Sequence, residues 1–251
     1  MPRLLLVEDA ADVALIVERF GGRMGLEVAH RPDVASAWDY LRDTLPDLIL
    51  LDLNLPGERG EALCRRVRAR PDTAHLPVAL FTHWDRPEDV ASGLEAGGDY
   101  VVSKDLLARP EAWQARLREI LAGHPGPGGG VSLNCQWNST LPRPSPEGAE
   151  DLNRVLRHPV LGRLGPDVVR VVLRRAVSRA ARNPSDRGRW LKPDGLALDA
   201  AYLAAAVPGG AVVTFACAVA EQLERLLGAE AAPAREALWR WTERANDFAD
   251  S

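Results

Sequence analysis

Five short apolar runs, alternating with stretches of helical periodicity, constrain the first half of this chain more than any other feature. Leu4–Val7, Leu26–Ala29, Leu48–Leu51, Val78–Phe81 and Tyr100–Val102 are of strand length and rich in Leu, Val and Ile. Amphipathic segments separate or follow them: Asp33–Leu41, Glu61–Val67, Pro87–Ala96 and Glu111–Leu121. Strands that alternate with helices are joined by crossovers rather than hairpins, which makes the sheet parallel. Runs with almost no polar residue imply that both faces are covered. The expected class is α/β.

That pattern stops at a change of composition. Gly123-His124-Pro125-Gly126-Pro127-Gly128-Gly129-Gly130, then Leu141-Pro142-Arg143-Pro144-Ser145-Pro146, cannot sustain a helix or a central strand. Residues 123–149 therefore read as a linker between a domain at 1–122 and another at 150–251. The second part shows no strand-like alternation. Its expected helices are Glu147–Leu156, Pro166–Arg182, Ala200–Val207, Ala211–Leu227 and Pro233–Phe248. Pro166 and Pro233 suit first-turn positions, Asp199 a cap and Gly228 a stop, giving an all-α helical bundle.

Composition removes several classes of function. The 31 Lys and Arg against 35 Asp and Glu give a net charge of −4, so the molecule is not a polycation that coats nucleic acid. Cys64, Cys135 and Cys217 are scattered, which suits a reducing cytosol and predicts neither a disulfide framework nor a cysteine-based zinc site. The apolar part of the N-terminus is too short for a signal peptide. Residues 200–220 carry no charge, but Pro208-Gly209-Gly210 interrupts them, so two buried helices joined by a tight turn are expected rather than a membrane span. The expectation is a cytoplasmic protein without membrane contact.

Polar residues stand at the carboxyl ends of four of the five runs. Glu8 and Asp9 follow the first, Asp52 ends the third, Thr82 ends the fourth and Lys104 follows the fifth. In an open parallel α/β sheet those ends form the ligand crevice. Three carboxylates gathered there repel one another unless a hard cation sits among them, and Mg²⁺ suits oxygen ligands. A carboxylate beside that metal can act as a nucleophile toward phosphorus, giving an aspartyl phosphate. Lys104 and the Thr82 hydroxyl are then placed to bind the phosphoryl oxygens.

Taken in order, Leu4-Leu5-Leu6-Val7-Glu8-Asp9, Asp52 within Leu50-Leu51-Asp52-Leu53-Asn54-Leu55-Pro56-Gly57, Gly60, Thr82, and Lys104 after Ala96-Gly97-Gly98-Asp99 resemble a response-regulator receiver domain. The resemblance covers residues 1 to about 122. It implies a flavodoxin-like, doubly wound five-stranded sheet of order 2-1-3-4-5, with Asp52 as phospho-acceptor and Mg²⁺ as cofactor. It also implies Asp9 as a metal ligand assisted by Glu8, a metal-bound backbone carbonyl at Asn54, and a sensor histidine kinase as donor. A flavodoxin-like domain with incidental polar strand ends leaves the joint occurrence of Asp52, Thr82 and Lys104 unexplained.

Three positions depart from the family pattern. Asp105 follows Lys104 where the family usually has a proline in a cis bond, so either that bond is strained or the loop differs. The family's switch aromatic falls at Val101, and Tyr100, one position earlier, points to the opposite sheet face. His83 and Trp84 follow Thr82 where the family has a small residue first; they are either rim residues or a lid over the phosphoryl group.

The helical part resembles no family. Its one histidine, His158, precedes Pro159 and does not suit phosphotransfer, and no catalytic constellation suggests an enzyme. Charge is uneven: residues 154–192 carry eleven basic and two acidic side chains, and residues 193–251 four basic and nine acidic. Arg170, Arg174, Arg175, Arg179 and Arg182 lie opposite an apolar stripe of one helix. The segment Ala211–Ala220 is apolar all round and belongs in a core or an interface, where Trp190, Trp239 and Trp241 are the expected anchors. The reading favoured is a two-component response regulator signalling through protein contacts or dimerisation to an unidentified output partner. Its rival is a transcriptional regulator whose helical domain binds DNA or RNA.

Overall fold

The computed structural model describes residues 1–83, 86–123, 141, 143–181 and 183–247. The chain divides into two compact units, Met1–Val131 and Ser132–Ser251. Most of the stretch read as a linker lies outside the described residues.

The first unit is a five-stranded parallel sheet of order β2-β1-β3-β4-β5. The strands are β1 (Arg3–Val7), β2 (Glu27–Arg31), β3 (Leu48–Leu51), β4 (Val78–Thr82) and β5 (Tyr100–Ser103). Helices α1 (Ala11–Arg23), α2 (Val34–Asp43), α3 (Gly60–Ala69) and α4 (Pro87–Glu95) make the crossovers, and α5 (Pro110–Gly123) follows β5. Leu4 pairs with Leu48 and Val28, so β1 and β3 lie together at the centre. Every residue of β3 is buried, as a strand covered on both faces requires. On one face Leu4, Leu6, Leu50, Phe81 and Val102 pack with Phe20 of α1 and Trp113 of α5, whose rings lie 5.7 Å apart. Tyr100 joins this same cluster, so it is a core residue. The helix α1 has no counterpart among the segments read from sequence, because Ala11–Arg23 mixes exposed Leu15 and Ile16 with its buried face and blurs the period.

The second unit is helical: α6 (Pro146–Leu156), the short α7 (Pro159–Gly162), α8 (Pro166–Ala180), α9 (Ala200–Ala206), α10 (Gly209–Leu227) and α11 (Ala232–Asp247). Helix α10 is buried along nearly its whole length between α8 and α11. Phe215 packs near Trp190 at 6.0 Å between rings, and Gln222 Nε2 donates to Val172 O of α8 at 3.1 Å. Asn153, buried in α6, both donates to Leu198 O and accepts from Leu198 N, fixing the turn before α9. Asp199 caps α9 through Tyr202 N, and Gly228 ends α10 with φ of 56°.

Three expectations change here. Gly209 and Gly210 are not a turn: Pro208 is the N-cap, and both glycines are buried in the first turn of α10. Of the two places expected for Trp239, core or interface, the core is ruled out: it is exposed and donates to Glu243 Oε1 at 2.8 Å. Leu191 and Leu198 form an isolated antiparallel bridge, outside any strand, within the helical unit. Cys217 is disulfide-bonded, which the scattered cysteines did not suggest. Cys64 is free and fully buried, and burial pushes its thiol up to about 12. No described helix is long and apolar enough to cross a membrane.

Candidate phosphoryl-acceptor site

Sheet order brings the predicted residues together. Because β1, β3, β4 and β5 are neighbours, residues just beyond their carboxyl ends share one edge of the sheet. Asp52 N donates to Val7 O at 2.9 Å, which continues the β1–β3 ladder and sets Asp52 beside Glu8 and Asp9. Gly60 lets α3 start directly above: a Cβ there would lie 2.3 Å from Asp52 O. One carboxylate oxygen from each of Glu8, Asp9 and Asp52 lies within 4.8 Å of the others. Glu8 and Asp52 are buried and Asp9 is exposed, so the cluster opens to solvent on one side.

Lys104 is the central cation. Its Nζ lies 2.7 Å from both Glu8 Oε2 and Asp52 Oδ2, and 5.4 Å from the centre of the Phe81 ring. Burial works against its ammonium, but the hydrogen bonds and charges of Asp52 and Glu8 outweigh it and hold the pKa above the ordinary lysine value. Burial pushes the Glu8 carboxyl up, assisted by the charge of Asp52 and opposed by Lys104. Asp52 Oδ1 accepts from Asn54 N at 2.9 Å, so Asn54 meets the site through its amide. Thr82 is buried at the end of β4, where its hydroxyl donates to His83 O at 3.2 Å.

The donor set fits a hard divalent cation. Three carboxylates converge on a partly open edge, with buried and exposed oxygens both present. Lys104 neutralises two of them in this arrangement.

The departures resolve unevenly. No cis peptide bond occurs among the described residues, so the Lys104–Asp105 bond is trans. Ser103 Oγ accepts from Asp105 N at 3.2 Å and caps a 3-10 turn at Lys104–Ala108, using the amide that a proline would lack. His83 Nδ1 lies 2.8 Å from Asp105 Oδ1, joining the loops after β4 and β5 at the rim. Trp84, read as part of a lid, lies outside the described residues. Sequence reasoning did not find His30, whose Nε2 lies 2.7 Å from Glu8 O; nothing in its local sequence signals this. The Ser103 cap had a signal, a serine two residues before an acidic side chain at a strand end.

A doubly wound sheet thus carries carboxylates beyond β1 and β3, a hydroxyl ending β4 and an ammonium after β5. Residues 4–116 match the response regulator receiver domain family, and this part of the chain belongs to it. Transcriptional regulatory protein AfsQ1 of Streptomyces coelicolor is 39% identical over 121 residues, covering 48% of this chain and 52% of that protein. Phosphate regulon transcriptional regulatory protein PhoB of Rhizobium meliloti is 34% identical over 128 residues, covering 49% and 56%. Among solved structures, the signal receiver domain of a signal transduction histidine kinase from Syntrophus aciditrophicus is 28% identical, covering 53% of this chain and 98% of its own, with a TM-score of 0.46. The chain spans about half the length of the curated relatives it matches.

Proposed function

We propose that the chain is a two-component response regulator whose Asp52 accepts a phosphoryl group from a sensor histidine kinase in the presence of Mg²⁺. The observation that carries this is the Asp52 carboxylate held between Lys104 and the Asn54 amide, beside Glu8 and Asp9. Glu8, Asp9, Asp52 and the Asn54 carbonyl would hold the ion, which supplies charge neutralisation between the acceptor and the incoming phosphoryl group. One Asp52 oxygen forms the new bond to phosphorus as the bond from phosphorus to the donor nitrogen or oxygen breaks, and the donor leaves with that electron pair. Lys104 is within reach of the phosphoryl oxygens without leaving its place, and the Thr82 hydroxyl gains them by rotation. Output passes through the helical unit to a partner protein or a second copy of the chain, and a cytoplasmic location belongs to the same reading. The receiver's only chemistry is its own phosphorylation and dephosphorylation. The test is incubation with acetyl phosphate and Mg²⁺, followed by intact mass. One added phosphoryl group, lost in Asp52→Asn, is the expected result, and labelling that survives in the variant overturns it.

A second reading makes the chain a transcriptional regulator whose helical unit binds nucleic acid. It is favoured by the excess of basic side chains over residues 154–192 and by the likeness to AfsQ1 and PhoB, which are transcriptional regulatory proteins.

A further inference from the structure

The basic residues of the helical unit are not spread evenly over its surface. A cleft of about 520 Å³ lies between α8 and the turns that follow it. Arg170 and Arg174 line it from α8, Arg187 from the 3-10 turn Pro184–Arg189, and Lys192 from the segment beside the Leu191–Leu198 bridge. Its one acidic lining residue is Asp194, whose Oδ1 is engaged by Leu196 N at 2.9 Å. Two observations show that the cleft is organised. Arg170 is held by the Asp167 carboxylate on one side, and its Nε donates to Asp194 O at 3.0 Å on the other. Gly195, with φ of 70°, brings the turn against Arg170, where a Cβ would lie 3.3 Å from its Cγ. Arg187 and Lys192 are exposed, and neither side chain has an ion-pair partner among the described residues.

We propose that this cleft binds a phosphorylated nucleotide, either free or as one unit of a nucleic-acid strand. The volume falls in the range of small-molecule sites. Val177, Leu191 and Pro193 offer apolar surface for a base, while the cations converge from three separate elements at the rim. Guanidinium groups match phosphate oxygens bidentately, and several cations around one cleft suit a multiply charged phosphate better than a single carboxylate. Ser178 adds a hydroxyl to the same lining. The inference rests on the second reading only for the strand as source, and it is independent of phosphorylation at Asp52.

The test uses the full chain and fluorescence anisotropy, with two probes: a fluorescent ATP analogue and a labelled single-stranded oligonucleotide. Arg187→Glu/Lys192→Glu is compared with Arg154→Glu/Arg240→Glu, an equal charge change on the exposed surfaces of α6 and α11. Circular dichroism checks that both variants fold. The cleft variant is expected to weaken binding by ~10-fold or more, equivalent to ~1.4 kcal/mol, and the control by ~2-fold or less. Binding of the nucleotide alone keeps the proposal and removes the nucleic-acid reading. Binding of the oligonucleotide, with a loss of affinity in salt that shrinks in the cleft variant, supports both. Oligonucleotide binding that ignores the cleft variant overturns the proposal and leaves the second reading standing. No binding of either probe, or displacement by poly-glutamate at equal charge, overturns the proposal.

Discussion

The two units gather charge in opposite ways. In the receiver, carboxylates and a lysine come from the ends of adjacent parallel strands and face one another out of water. The Lys104 side chain is 12% exposed, that of Glu8 1% and that of Asp52 7%. In the helical unit, arginines and a lysine from one helix and two turns ring a cleft that is open to solvent. The first arrangement follows from topology, since any residue just past a central parallel strand must arrive at that edge. The second depends on helix phase and on how two irregular turns lie against α8. Energetically, the buried cluster is a set of mutual dependencies, whereas the exposed Arg187 and Lys192 have no ion-pair partner among the described residues.

The largest effect expected on this contrast is chemical. Asp52→Asn keeps the shape of the side chain and removes the nucleophile, so uptake of phosphate from acetyl phosphate falls to background. Binding of either nucleotide probe by the helical unit is unchanged in the same variant. If both activities fall together, the two units are coupled and the contrast drawn here fails.

A stability experiment divides the units next. Phe215 is fully buried beside Trp190, and Phe215→Ala removes the ring from the centre of the helical core. The expected cost is ~3–5 kcal/mol. Calorimetry should show one transition moving to lower temperature, while labelling of Asp52 persists above it. A single transition that carries labelling with it would mean that the units share their stability.

How far the sequence revealed each unit follows from the same physics. Glu8, Asp9, Asp52, Thr82 and Lys104 could be assigned to one site because strand ends converge whatever the loops do, and the structure brings Glu8, Asp9, Asp52 and Lys104 together. The side-chain partners within that edge were not legible. His30 meets the Glu8 carbonyl through β2 pairing, and His83 meets Asp105 across two loops; neither contact leaves a periodic trace. In the helical unit the stripe Val168, Val169, Val172, Leu173, Ala176, Val177 and Ala180 was readable at a period of 3.6, and all of it except Val169 is buried. The convergence of Arg187 and Lys192 on Arg170 was not, because it passes through the turn at Gly195 and the bridge at Leu191, where no repeat applies. Likewise the Pro208-Gly209-Gly210 signal marked a boundary correctly and misplaced it, since glycine also serves where a buried helix begins under close cover.

The buried cluster offers a sharper test of mutual dependence. Lys104→Met removes the cation shared by Glu8 and Asp52 and leaves two buried carboxylates facing each other. The variant should lose ~3 kcal/mol at neutral pH. Burial already raises the Glu8 carboxyl above its ordinary range, and loss of the ammonium raises it further. A group whose pKa is raised on folding contributes stability below its unfolded value and loses it as pH rises through the folded one. The deficit of Lys104→Met should therefore grow as pH rises above the ordinary carboxylate range. Millimolar Mg²⁺ should restore more stability to the variant than to the parent chain, because it replaces the missing positive charge. A deficit that shrinks as pH rises, or that ignores Mg²⁺, would mean that Lys104 acts through packing on Phe81.

The smallest effect is expected at the rim of the same site, where the receiver adopts the character of the exposed cleft. His83 and Asp105 are paired at 2.8 Å, yet their side chains are 57% and 66% exposed. Solvent screens such a contact, and exposed pairs contribute between nothing and about 1 kcal/mol. Asp105→Ala removes the carboxylate but keeps the amide that donates to Ser103 Oγ, so the 3-10 turn at Lys104–Ala108 keeps its cap. The variant should lose less than ~1 kcal/mol and take up phosphate within ~2-fold of the parent rate. Asp105→Pro, by contrast, removes that amide as well, and separates the cap from the His83 contact. If Asp105→Ala slows labelling as strongly as Asp105→Pro does, the His83 contact positions Lys104 or Thr82, and the boundary between dependent and independent charge must be moved outward to include the rim.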